Sequence, residues 1–254
     1  GASLLRTFPE IDFVVNGEGE LPLLHLAKSL SPTSAIRNSI PFPGLLSRTQ
    51  GTAEDFSQVA ELDDLPAPDY TDYFDLLKHL PEAKRFLPKL PMEMSRGCWW
   101  RKRVPPQKRL CRNVLSRPQP RNLDSGCAFC NLNLQWRGYR SKSHGKVVEE
   151  IDSLTDRHEL LSVSFTDNLL PPRNLKPLFE SLAGLRKDLR LFAEIRATTS
   201  TDDLLAMGRA GAAEVQVGVE ALSTRLLRKL NKGTTAIQNV EIMKTCEAGD
   251  LPDL

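Results

Sequence analysis

The chain has 254 residues, 40% hydrophobic and 26% charged, an ordinary globular composition that excludes a disordered tail, a collagen-like repeat or a coiled coil. Thirty-four Lys and Arg against thirty-two Asp and Glu leave a net charge of +2, which argues against a surface built throughout to hold nucleic acid. No apolar run approaches the roughly 20 residues of a membrane helix, and the opening GASLLRTFPE lacks the parts of a signal peptide, so a cytoplasmic location without membrane contact is expected.

Residues 13–15 read as a short buried strand, Gly17 and Gly19 as the turn after it, and residues 21–30 as a helix with apolar spacing. This looks like the last unit of an α/β domain whose beginning lies outside the chain. Seven prolines (32, 41, 43, 66, 68, 81 and 88) break up residues 31–90, which read as a connector with one short helix at 70–80.

From residue 91 the pattern becomes regular. Strands are predicted at 92–94, 160–165, 190–195 and 214–219, and helices at 144–157, 175–187, 201–210, 223–230 and 235–248. The last helix takes Thr234 or Thr235 as its cap and Gly249 as its stop. Strands alternating with helices predict an α/β fold with a parallel sheet, open or closed into a barrel, and reacting groups at the C-terminal strand ends.

Five cysteines are an odd number for a disulfide framework, and Cys98, Cys127 and Cys130 crowd beside aromatic residues, which favours reduced thiolates on a metal. The two-residue gap in Cys127–Cys130 lets both reach one centre, and Cys98 arrives after the first strand of the regular part. Three thiolates can hold three irons of a cubane and leave the fourth open; with Cys111 the same residues would instead close a four-thiolate zinc site.

The segments PMEMSRGCWW, CAFCNLN, YRSKS, FTDNLL and LNKGTTAIQN, in that order, resemble radical SAM proteins with an N-terminal cobalamin-binding domain, nearest the group that matures ribosomally made peptides. The resemblance implies a partial (β/α) barrel over residues 91–254, preceded by a connector at 31–90 and by the end of a Rossmann-like cobalamin-binding domain at 1–30. It implies a 4Fe-4S cluster on Cys98, Cys127 and Cys130, with S-adenosylmethionine (SAM) on the fourth iron. Reductive cleavage would give a 5′-deoxyadenosyl radical. Cobalamin is a further implied cofactor whose ligands lie outside this chain. A peptide substrate, C-methylation, and an electron donor such as flavodoxin or ferredoxin follow from the same resemblance.

Around SAM, Phe129 would pack on adenine, and Asp167 with Asn168 would hold the α-amino group. Glu194 and Arg196 share one face of their strand and would meet the carboxylate or ribose, or pair with each other. Gly218, Glu220 and Ser223 follow the fourth strand, in a motif where this chain has Ala221 in place of the family's usual Ser. Trp99 and Trp100 read as packing beside the cluster. His25, His79, His144 and His158 have no metal-ligand spacing and read as surface or cap residues.

Twenty-eight residues separate Cys98 from Cys127, where the family needs about two helical turns. The excess, residues 101–125, has eight Lys or Arg and one acid, a net +7 that leaves −5 for the remainder. Three readings stand: a loop receiving an acidic peptide or nucleic acid, a zinc elaboration through Cys111, or a stretch absent from the mature protein. The chain also stops after about four strand–helix units, short of the family's barrel. The rival class is a zinc-stabilised nucleic-acid-binding module on Cys98, Cys111, Cys127 and Cys130; an inactive fragment of the family is the third.

Overall fold

A computed structural model describes residues 1–33, 42–48, 56–100, 126–130, 132, 138–172 and 174–248. Two compact units form, one built on Gly1–Ala60 and the other on Glu61–Leu134 with Gly138–Leu254. The basic stretch 101–125, Cys111 and Gly249 lie outside the described residues.

In the first unit, α1 (Ala2–Thr7) precedes β1 (Phe13–Val15), α2 (Glu20–Leu30) and β2 (Leu45–Ser47). β1 pairs antiparallel with β2, Val14 opposite Leu46. This unit therefore extends past residue 30, because part of the expected connector supplies the partner of its strand. Gly17 has φ +103, and a Cβ there would stand 2.2 Å from the Ser57 carbonyl oxygen, so this turn needs glycine. Gly19 starts α2 at an ordinary φ of −86. Arg48 gathers the end of α1 by donating to the carbonyls of Leu5, Phe8 and Ile11 at 2.6, 2.7 and 2.8 Å. His25 stacks on Phe42 with ring centroids 4.5 Å apart.

The second unit starts with α3 (Thr71–Lys78) and is organised by four parallel strands in the order β3 (Leu90–Met92), β6 (Ser162–Phe165), β7 (Arg190–Arg196) and β8 (Ala212–Gly218). α4 (His144–His158), α5 (Leu175–Gly184) and α6 (Thr201–Arg209) alternate with these strands, and α7 (Thr224–Lys229) and α8 (Ala236–Ala248) follow. Parallel neighbours in chain order, joined by helices, are the expected α/β architecture. Alternation along β7 buries Leu191, Ala193 and Ile195 and leaves Phe192 and Glu194 half-exposed. The core lies on the first face, where Val163, Phe165 and Val215 join Ile151, Leu178, Phe179, Leu182 and Met207 from the helices. Polar Ser162, Ser164, Glu194 and Gln216 occupy alternate positions on the other.

Local signals place the helix starts. Ser143, Ser200 and Ser223 each cap a helix through the side chain, accepting from Lys146, Asp203 and Leu226 N–H groups. Thr235 rather than Thr234 caps α8: its Oγ1 accepts from Gln238 N–H while Gln238 Oε1 accepts from Thr235 N–H, a reciprocal capping box.

One strand sits two residues earlier than its expected 92–94. β3 stops at Met92 because the Met94 N–H is taken by Asp167 Oδ2 at 2.9 Å. The chain then forms β4 (Ser95–Arg96), which pairs antiparallel with β5 (Arg140–Ser141). This small ladder pins the two ends of the segment that contains Cys98, Cys127 and Cys130.

Candidate functional site

Asp167, Asn168, Glu194, Arg196, Gly218, Glu220 and Ser223 lie within or after the C-terminal ends of the parallel strands β6, β7 and β8, and Cys98 follows the antiparallel β4. Gly97, at φ +89, turns the chain after β4, and Cys98 follows, half-buried. Its thiol pKa is raised, first by burial; a backbone N–H from Trp100 and the charge of Arg196 oppose this, while Cys127 and Cys130 add to it. Among the described residues no three His, Cys, Asp or Glu side chains converge as they would on a single metal ion.

Two indoles anchor the first arm. Trp99 Nε1 donates to Leu170 O at 2.9 Å and Trp100 Nε1 to Asn231 O at 2.8 Å. The second arm is tied to the same place: Ala128 N–H donates to Leu230 O at 2.7 Å and Asn231 Nδ2 to Gly126 O at 2.6 Å. Cys130 N–H donates to Cys127 O at 3.1 Å, and Leu132 N–H to Cys130 Sγ at 3.5 Å. Phe129 is 54% exposed, so its ring is open to stacking and is not part of the core.

Arg196 does not pair with Glu194. Its guanidinium is buried, donates through Nη2 to Lys232 O, and lies 5.6 Å from the Trp99 ring centroid and 4.8 Å from that of Trp100. Glu194 is half-exposed and has no ion pair among the described residues. A cavity of about 160 Å³ opens between Trp99, Leu170, Ile195, Arg196 and Thr198.

Asp167 occupies a different place from the one expected of an amine ligand. Its carboxylate is 2% exposed, and both oxygens are taken, by Met94 N–H and by the Ser95 hydroxyl. Burial raises its pKa to about 6 against the pull of these bonds. Asp167 holds the segment that leads to Cys98. Asn168 beside it is exposed. Tyr139 is half-buried nearby, its pKa raised by burial and then by the charges of Asp167 and Cys98. Lys142, from the same YRSKS segment, forms an ion pair with Glu150 at 2.5 Å, both side chains almost wholly buried.

At the end of β8, a Cβ on Gly218 would stand 2.8 Å from Lys232 Nζ, and that ammonium donates to Glu220 Oε1 at 2.7 Å. Glu220 adopts φ +51. Asn239 holds the loop in place by donating to Val219 O and Ala221 O, both at 2.8 Å. Ser223 is spent as the cap of α7. Residue spacing gives no individual role to Asn231, Lys232, Gly233 or Asn239; their one signal in the sequence is the segment LNKGTTAIQN that contains them.

The donor set fits the group that the thiol pattern implies. A four-iron cube offers separate irons to separate thiolates, so its cysteines stand farther apart than ligands of one tetrahedral ion. Arg196 Nε at the end of β7, Asn239 Oδ1 on the helix that holds the loop after β8, and Thr234 Oγ1 are buried without hydrogen-bond partners among the described residues. Unsatisfied buried polar atoms beside a glycine-lined strand tip suit a polar ligand.

A profile of the radical SAM superfamily matches residues 123–253, a little over half of the chain, and the chain belongs to that superfamily. Cys98 lies ahead of the matched stretch. The superfamily implies SAM and a 4Fe-4S cluster. The chain is 26% identical over 253 residues to an uncharacterized methyltransferase, PH0819, of Pyrococcus horikoshii, covering 96% of this chain and 48% of that protein. It is 24% identical over 258 residues to an anaerobic magnesium-protoporphyrin IX monomethyl ester cyclase of Cereibacter sphaeroides, covering 98% and 38%. The fold is similar to that of the cobalamin-dependent SAM radical enzyme OxsB, solved with aqua-cobalamin and SAM bound, at a TM-score of 0.70 and 17% identity, covering 99% of this chain and 34% of that one. The chain therefore spans less than half the length of these relatives.

Proposed function

We propose that this chain carries the catalytic core of a radical SAM enzyme in which Cys98, Cys127 and Cys130 hold the 4Fe-4S cluster. The observation that supports this best is that the arm of Cys98 and the arm of Cys127 and Cys130 are both tied by hydrogen bonds to Leu230 and Asn231, beside the C-terminal ends of the parallel strands. When bound, the cluster and SAM supply a 5′-deoxyadenosyl radical able to attack an unactivated carbon. Phe129 stacks on the adenine, while Glu194, Gly218 and Glu220 border the ribose and amino-acid end of SAM. Asn168 is the group of its pair left free to meet the α-amino nitrogen. Arg196 places a buried positive charge beside the thiolates. Trp99 and Trp100 keep water from that side.

The finer reading is cobalamin-dependent C-methylation of a peptide by the whole protein, with flavodoxin or ferredoxin as electron donor. Methylation is supported by the name of the Pyrococcus relative, and cobalamin by the likeness to OxsB, which holds aqua-cobalamin. The peptide is supported by the motif resemblance. The name of the Cereibacter relative favours a second reading, a tetrapyrrole substrate.

The test is anaerobic reconstitution with iron and sulfide, followed by electron paramagnetic resonance of the reduced chain with and without SAM. A cubane signal that shifts on adding SAM is expected. Zinc uptake with no iron would sink the proposal in favour of the zinc module.

A further inference from the structure

We infer that Asn231 is the positioning residue that brings the two cysteine arms to one place, an inference that rests on the cluster reading above. The arms are separated by twenty-eight residues, so chain connectivity alone leaves their relative placement open. Asn231 touches both. Its backbone carbonyl accepts from Trp100 Nε1 in the Cys98 arm at 2.8 Å, and its side-chain amide donates to Gly126 O in the Cys127–Cys130 arm at 2.6 Å. The neighbouring Leu230 carbonyl adds the bond from Ala128 N–H.

The local backbone explains why an asparagine stands there. α7 ends in a Schellman motif: Lys232 N–H donates to Leu227 O at 3.0 Å and Asn231 N–H to Arg228 O at 3.2 Å, with Asn231 at φ +52 in the left-handed position. Glycine is the residue that this position ordinarily favours, and asparagine the next best. Choosing asparagine gives up a little backbone ease and gains an amide, which is spent on Gly126. The left-handed turn leaves the Asn231 carbonyl available to the Trp100 indole. Cap and clamp are one residue, so the end of α7 sets where both arms dock.

This separates the clamp from simple stability. Asn231→Gly keeps the cap and the carbonyl and removes the side-chain bond to Gly126; Asn231→Asp replaces a donor by a charged acceptor facing the Gly126 carbonyl. The experiment bridges thiols in the metal-free chain with dibromobimane and maps the Cys98–Cys127 and Cys98–Cys130 products by mass spectrometry in a Cys111→Ala background. Bridging is expected to fall roughly fivefold to tenfold in Asn231→Gly, about what one hydrogen bond governs, with an unchanged or higher melting temperature, and further in Asn231→Asp. Trp100→Phe, which removes the other bond, is expected to move bridging the same way. Wild-type bridging rates in Asn231→Gly, or no bridging between the arms in the parent chain, overturn the inference. Iron uptake is scored separately: a parent chain that bridges its thiols but takes up no iron and sulfide defeats the cluster reading, while bridging still decides the role of Asn231.

Discussion

The indole of Trp100 lies against the backbone of Gly233, so close that a Cβ there would stand 2.0 Å from ring atom Cζ2. Gly233 is also left-handed, with φ +77. Gly233→Ala therefore meets two costs, an overlap with a half-buried ring and a strained backbone. An expected loss of about 2–4 kcal/mol follows, read by urea unfolding, with a changed near-ultraviolet signal from displaced tryptophan. An alanine variant as stable as the parent would mean that Trp100 is free to move.

The three thiols should behave as a set. Cys98→Ala, Cys127→Ala and Cys130→Ala are each expected to abolish iron and sulfide loading, and Cys111→Ala to leave it intact. The zinc arrangement demands the opposite of Cys111, so metal analysis of this one variant separates the two classes.

Lys142 and Glu150 are each at most 4% exposed in their side chains and 2.5 Å apart. Lys146 reaches the other Glu150 oxygen at 3.7 Å. Breaking the pair leaves a charge buried alone: Glu150→Ala is expected to cost about 3–5 kcal/mol. Replacing both partners by Met and Leu should restore most of that. A double-mutant cycle from denaturant unfolding measures the coupling, and additive single effects would show that the pair does not act as a unit.

The Asp167 carboxyl is neutral more readily in the fold than in the unfolded chain, with a pKa near 6 against an ordinary 3.8. Between those values the folded chain binds more protons, so this group's contribution is complete below about pH 4 and is lost as pH rises through 6. The lost amount is about 3 kcal/mol at most, from a shift of roughly two units. Asp167→Asn removes the titration. Unfolding free energies of parent and variant, measured from pH 4 to 8, should diverge across this window with the parent losing ground; parallel curves would show that the burial of Asp167 is compensated.

The alternation of strands and helices was legible because it rests on short-range rules. Apolar residues recur at fixed periods in β7 and in α4 to α6, and Ser143, Ser200 and Ser223 cap their helices across three residues of chain. Strand 92–94 was displaced because a side chain 73 residues away competes for the Met94 N–H. Asp167 likewise reads in sequence as a free carboxylate at a strand tip, and its partners show only when β3 and β6 lie side by side.

What the sequence determined by itself was the α/β class, the three cysteines, and the glycine and the carboxylate at the end of the last strand, since residue type and spacing carry that information. The tertiary structure decided which of those groups remain free: Arg196 went to the two indoles, Asp167 to the arm of Cys98, Ser223 to a cap, and Phe129 stayed open. It also decided that Asn231 and Gly233 receive Trp100, a contact across 131 residues for its hydrogen bond. Hydrogen bonds and ring contacts across such separations depend on where the packed helices place their ends, and no local period encodes that.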